Sequence, residues 1–257
     1  MTYDLIYVNG DSYVRSGNYK KYADHLADFF GAHVINRAVL GSANSRIFRT
    51  SLRDLLELKH KHSNILACVS LSFIFRTELW HTQHDIARWR QVPHEDLQSL
   101  SDGDFVCIQP LDGKNWYQRR NKSIDLHEGK AYRNFCRNYI DWYDIEAETV
   151  DLLAKIILFA NWCENNNIDY IIFSPMYQET IDFSAPFVAN FYEEMKQNSR
   201  ILDIFEFSFL EWCLQRNHAP VDNHEAVVNN KPYKVGHMGP SGHKDFAEFL
   251  LERYYSR

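Results

Sequence analysis

Two rhythms alternate along the chain. Short apolar runs are separated by longer segments in which apolar residues recur every three or four positions. Residues 3–8 form a first apolar run and predict a strand. In "YKKYADHLADFFG", Tyr22, Ala23, Leu26, Ala27, Phe29 and Phe30 recur at helical spacing, and Gly31 is a natural stop. "HVINRAV" predicts a second strand, "LGSANS" a turn, and "RIFRTSLRDLLELKH" a helix with Ile47, Leu52, Leu55 and Leu56 on one side. "NILACVSLSFIF" is apolar almost throughout, as in a strand buried on both faces of a parallel sheet. "IEAETVDLLAKIILFANWCENNN" predicts a long helix, "IDYIIFSP" a buried strand, "APFVANFYEEMKQNS" a helix and "RILDIFEF" a short strand. "GPSGHKDFAEFLLERYY" closes the pattern with a last helix on Phe246, Ala247, Leu250 and Tyr254.

Strand–helix alternation with apolar strands predicts an α/β fold around a parallel sheet of about five strands, in one domain over residues 1–257. Residues 79–148 interrupt it. Trp80, Trp89, Trp116 and Trp142 and the basic "YQRRNKS" fall there without clean periodicity. This predicts a long insertion over the core, serving as a lid or binding loop on one reading and an oligomerisation insert on the other.

Composition narrows the function classes. A net charge of −6 over 257 residues gives no electrostatic footprint for nucleic acid. The five cysteines, Cys68, Cys107, Cys136, Cys163 and Cys213, are scattered with no Cys-x-x-Cys pair, which argues against a zinc site or disulfide framework. Cys68 and Cys163 lie in apolar runs and read as core. No leader pattern and no run of ~20 apolar residues is visible, so the expectation is a soluble cytoplasmic protein without a membrane partner. Aromatics make up 15%, enough for dense packing or for an aromatic-lined pocket.

In parallel α/β sheets, sites form at the carboxyl ends of the strands. That brings turns 10–13 and 40–45 and the segment after residue 73 into one neighbourhood. The first turn offers Gly10, Asp11 and Ser12. A serine at a strand-to-helix turn exposes its hydroxyl, although Gly, Asp and Ser are also ordinary loop residues. A serine nucleophile needs a base. Of twelve histidines, His237 and His243 lie in "GHMGPSGH", before the last helix. That loop is expected to leave a strand of the same sheet. His243, in the first helical turn, reads as a surface or capping residue, and His237 is the better-placed base. Gly41 can offer a backbone amide to an oxyanion and Asn44 a side-chain amide, with a helix N-cap as the other reading of Asn44.

"YVNGDSYV", "NRAVLGSANSRI" and "HMGPSGHKDFAEFL", in this order, resemble the SGNH (GDSL-like) hydrolase family over nearly the whole chain outside the insertion. The resemblance implies a flavodoxin-like three-layer α/β/α sandwich and a serine esterase with no metal and no cofactor. It makes Ser12 the nucleophile, Gly41 the second-block glycine and His237 the base. Two positions depart from the family pattern. Lys234 stands where an Asp three residues before the base is usual, and no Gly-x-Asn-Asp follows the third strand. Asp222 could replace the carboxylate if its loop folds back; otherwise a Ser–His dyad remains. Asn44, Ser72 or Arg76 could supply the missing donor. Asp11, Arg76 and Glu78 are candidates for substrate contact, with an Arg76–Glu78 ion pair under the insertion as the alternative. The expected substrate is a small-molecule or carbohydrate ester. A binding module that has kept the fold and lost the chemistry is the second reading, and a flavodoxin-like phosphate binder the third.

Overall fold

A computed structural model of the protein describes residues 2–15, 18–39, 42–74, 76–80, 105–108, 138, 142–176, 183, 185–222, 224–228 and 231–255. Its centre is a parallel sheet of β1 (Leu5–Asn9), β2 (His33–Asn36), β3 (Ile65–Ser70) and, later in the chain, β6 (Asp169–Phe173), in the order β2-β1-β3-β6. Leu5 pairs with both His33 and Ile65, and Leu66 with Asp169. The order reverses at β1, so the crevice of this sheet lies at the carboxyl ends of β1 and β3.

Strand alternation divides the core into two layers. Leu5, Tyr7, Ala67, Val69, Tyr170 and Ile172 face one side. There they meet α3 (Asn44–Leu58), α4 (Ile145–Asn165) and α5 (Pro186–Lys196). Ile6, Val8, Leu66, Cys68, Ile171 and Phe173 face the other. They pack on α2 (Tyr22–Phe30), α6 (Phe209–Gln215) and α7 (Pro240–Tyr254). The period of two in each strand thus fills both interfaces, which is why these strands read as unbroken apolar runs. This is the α/β fold that the alternation predicts, in the three-layer α/β/α form that the resemblance implies. Cys68, Cys163 and Cys213 are buried free thiols within it.

Three features differ from the sequence expectation. "RILDIFEF" is not a fifth strand. Its contact with the sheet is a single parallel bridge, Ile172 to Ile201. Ile201, Leu202 and Ile204 are buried there without a ladder, so an apolar pattern alone does not require one. Helix α6 was not anticipated, because its two turns carry too few positions for a period to register. The loop holding His237 does not leave the central sheet. It follows β8 (Lys231–Val235), which pairs antiparallel with β7 (His224–Val228) in a separate hairpin.

Most of the insertion at 79–148 lies outside the described residues. Its described part includes an antiparallel pair, β4 (Thr77–Trp80) with β5 (Phe105–Ile108). The long helix begins inside the assigned span, at Ile145. Asp144 caps it, with its side chain accepting from the Glu146 and Ala147 amides. Among the described residues no helix is long and apolar enough to cross a membrane.

Candidate active site

The turn after β1 is held from three directions. Asn9 is the last β1 residue and faces α3, where it is fully buried. Its Nδ2 donates to Thr50 Oγ1 at 2.8 Å and to Ser51 Oγ at 3.0 Å. Its Oδ1 accepts the Gly10 amide at 2.9 Å. The turn is therefore tied to α3 through one buried amide. Below it, Tyr7, Arg37 and Arg53 converge on the Asp54 carboxylate of the same helix.

Gly10 is required for space. A Cβ there would meet Ser70 Cβ and Val14 Cγ2, each at 2.8 Å. Only a glycine lets the end of β1 lie this close to the end of β3.

Asp11 is the third anchor. It is fully buried, accepts from the Tyr13 amide at 3.1 Å, and takes a 2.8 Å ion pair from Arg76 Nη1. The same guanidinium nitrogen donates to Ser72 Oγ at 2.7 Å. Burial pushes the Asp11 carboxyl above its ordinary range, and the Arg76 guanidinium beside it pulls in the opposite direction. Both groups had been candidates for substrate contact. They instead hold each other under the turn, so Asp11 is an internal anchor. Arg76 pairs with Asp11, and the Glu78 side chain lies outside the described residues.

Asn44 joins the second turn to the third. Its Oδ1 accepts the Ser72 amide at 2.7 Å, and its Nδ2 donates to the Ser72 carbonyl at 3.0 Å and the Phe73 carbonyl at 3.5 Å. Ala43, not Asn44, is the N-cap of α3. The described partners of the Asn44 amide are thus the backbone after β3. Gly41 lies outside the described residues. Turns 10–13 and 42–44 and the segment 72–76 are adjacent, joined by Asp11–Arg76 and Asn44–Ser72.

Ser12 opens the short helix α1 (Ser12–Arg15) and is partly buried. The histidine arrives from the far end of the chain. His237 Nδ1 is 2.6 Å from Asp222 Oδ2, and the His237 amide donates to Asp222 Oδ1 at 2.5 Å. The Val221 amide donates to the His237 carbonyl at 2.8 Å. An antiparallel bridge between Pro220 and Met238 completes the strap. The loop carrying Asp222 does fold back. A carboxylate on Nδ1 fixes the proton there and leaves the Nε2 lone pair to act as base. Nε2 is buried and has no hydrogen-bond partner among the described residues, so Ser12 Oγ does not bond to it in this structure.

The imidazole nonetheless lies at the serine turn. Its ring centroid is 5.0 Å from that of Tyr13, the residue after Ser12. The Tyr19 hydroxyl, from the segment following α1, donates to the Met238 carbonyl at 2.5 Å. Gly236 allows the strap to close, because a Cβ there would come within 2.0 Å of the Asp222 carbonyl oxygen. Lys234, whose position departs from the family pattern, lies in β8 two residues before this glycine.

His243 is not a surface residue. It is fully buried, and its Nδ1 accepts the amide of Tyr22, the first residue of α2, at 3.4 Å. It therefore satisfies an N-terminal donor of another helix. Its ring lies among Tyr19, Tyr22 and Phe209. Burial, with Lys21, His25 and His237 adding to it, pulls its pKa down to about 3. Asn9, Tyr13, Tyr19 and Gly236 were not singled out in the sequence. For Asn9 a signal existed, since a polar residue ending an apolar strand on a core-facing position must find buried partners.

No family model matches the chain, and no curated protein matches it. Among solved structures, it is similar to a protein described as lipolytic and of the G-D-S-L family from Desulfitobacterium hafniense DCB-2. Identity is 11% and the TM-score 0.37, over 97% of this chain and 99% of that one. It is also similar to an acetyl xylan esterase, at 12% identity and a TM-score of 0.40, with the same coverage of each chain.

Proposed function

We propose that the protein is a serine hydrolase acting on ester bonds, with Ser12 as nucleophile, His237 as base and Asp222 as the carboxylate that orients it. The observation that carries this reading is the 2.6 Å Asp222–His237 pair lying against Tyr13, one residue beyond Ser12. A carboxylate that orients an imidazole beside a hydroxyl-bearing turn supports acyl transfer. In the step we assign, Ser12 Oγ attacks the ester carbonyl and its proton passes to His237 Nε2. The tetrahedral oxyanion is held by the Ser12 and Gly41 amides. His237 returns the proton to the departing alcohol, and water then releases the acid by the same route. Asn9, Asp11, Arg76 and Asn44 touch no reacting atom in this scheme; they set the position of the turn.

The substrate class we assign is a small-molecule or carbohydrate ester. The test is covalent labelling with a fluorophosphonate, together with hydrolysis of p-nitrophenyl acetate and of an acetylated sugar. Multiple-turnover hydrolysis should disappear in Ser12→Ala and His237→Ala, and labelling of the peptide holding Ser12 should disappear with it. Folded protein that neither labels at Ser12 nor hydrolyses any ester would overturn the reading. That His237 Nε2 has no hydrogen-bond partner among the described residues favours the second reading, a binding module that keeps the fold without turnover.

A further inference from the structure

A second serine, histidine and carboxylate meet at His218, two residues before the strap begins, and there all three are joined. His218 Nδ1 is 3.1 Å from Ser241 Oγ, and His218 Nε2 is 2.9 Å from Asp245 Oδ2. Ser241 and Asp245 are four residues apart in the first turns of α7, hence on one helix face. The histidine is aimed by the end of α6. Asn217 takes a left-handed φ of 62°, its amide bonds to the Leu214 carbonyl, and the His218 amide bonds back to the Cys213 carbonyl. That is a Schellman stop, which fixes where the chain leaves the helix. Cys213 Sγ in turn contacts the Gly242 carbonyl of α7.

The proton pattern is determined by the partners. A carboxylate only accepts, so His218 Nε2 carries the hydrogen and Nδ1 accepts from the Ser241 hydroxyl. This is a base in contact with its nucleophile and oriented by a third group, with the two ring nitrogens exchanged relative to His237. The His218 side chain is 13% exposed while Ser241 is open to solvent. The Ser241 and Gly242 amides precede the first intrahelical bond of α7, which His243 makes to Gly239.

We propose that Ser241 is a second activated hydroxyl, an acceptor for acyl and phosphonyl groups from small electrophilic esters, independent of Ser12. With an ester, Ser241 Oγ bonds to the carbonyl carbon while the carbon–oxygen bond to the alcohol breaks. The Ser241 proton passes to His218 Nδ1 and then to the departing alkoxide, leaving an O-acyl serine and a free alcohol. With a fluorophosphonate, the oxygen–phosphorus bond forms, fluoride leaves, and the proton passes through His218 to water.

The experiment is timed fluorophosphonate labelling of the full chain, with labelled peptides quantified by mass spectrometry. Ser63, exposed and bonded to Asp4 through its amide but with no histidine on its hydroxyl among the described residues, is the internal reference. Ser241 should label about a hundred-fold faster than Ser63. His218→Gln, which can still bridge Ser241 and Asp245 but is not a base, should abolish that excess, and Asp245→Asn should reduce it. Thermal unfolding of each variant establishes that it remains folded. Labelling of Ser241 no faster than Ser63, or an undiminished rate in His218→Gln, would leave His218 as a tether and overturn the proposal. Because Ser12 and Ser241 fall in different peptides, failure of one reading leaves the other standing.

Discussion

Asp222 grips His237 twice, through the ring nitrogen at 2.6 Å and through the backbone amide at 2.5 Å. The second bond gives the carboxylate a fixed place relative to the imidazole, so the ring cannot turn without losing one of them. Asp222→Ala should therefore lower kcat for ester hydrolysis by about 10²–10⁴-fold while leaving KM nearly unchanged. Steady-state kinetics on p-nitrophenyl acetate check this. An unaltered kcat would leave Asp222 as a structural clamp.

Gly236 is the hinge of the same strap. In Gly236→Ala the new methyl would meet the Asp222 carbonyl oxygen and Pro220 Cβ, which is backbone and ring rather than a yielding side chain. We expect a loss of roughly 1–3 kcal/mol of stability from overpacking. The downfield proton resonance of a carboxylate-bound imidazole should vanish from the NMR spectrum. Its persistence would mean that the strap accommodates the methyl without moving.

Arg76 and Asp11 are both withdrawn from solvent, so removing one strands the other. Arg76→Met should cost about 3–5 kcal/mol, because it leaves a buried carboxylate unpaired. Adding Asp11→Asn should recover part of that loss. Urea denaturation of the two single variants and the double variant measures the coupling, and simple additivity would refute it.

His243 makes stability depend on acid. Its folded pKa of about 3 lies below the ordinary value of 6.5. The unfolded chain therefore binds the proton first as pH falls. The contribution is fully present above pH 6.5 and is lost progressively toward pH 3, on the order of 5 kcal/mol by linkage. Lys21, His25 and His237 are the charged or titratable neighbours that oppose protonation alongside burial. His243→Asn, which keeps an acceptor for the Tyr22 amide, should flatten the acid limb of a stability–pH curve. An unchanged slope would assign the acid sensitivity to other groups.

The central sheet was legible because β1, β3 and β6 are buried on both faces, and burial of that kind writes itself as unbroken apolar sequence. Ser12, His237 and Asp222 were all legible as candidates. Whether the Asp222 loop folds back onto His237 was not, since it requires the β7–β8 hairpin to return the chain fifteen residues later. A signal was present: only Asn229 and Asn230 separate the two strands, a two-residue spacing typical of hairpins. The burial of His243 had no local signature. Its first-turn position suggested solvent, while the rings that cover it come from residues 19, 22 and 209. Asp11 and Arg76 were visible as charged residues near the site. What made them partners was the approach of β1 to β3, which the composition of neither strand encodes.

The hydrogen bond from the Tyr19 hydroxyl to the Met238 carbonyl closes a loop of 219 residues. Loop-closure entropy rises only with the logarithm of length, by about 0.6 kcal/mol per doubling, so this distance weighs little on final stability. On the rate of folding it weighs more, because non-local contacts are gained only after that entropy has been lost. Pairing of β1 with β2 and β3 spans a far shorter stretch of chain. The sheet and its serine turn can therefore exist before the strap arrives with its histidine, and a chain halted at that stage would be folded at its centre and chemically silent.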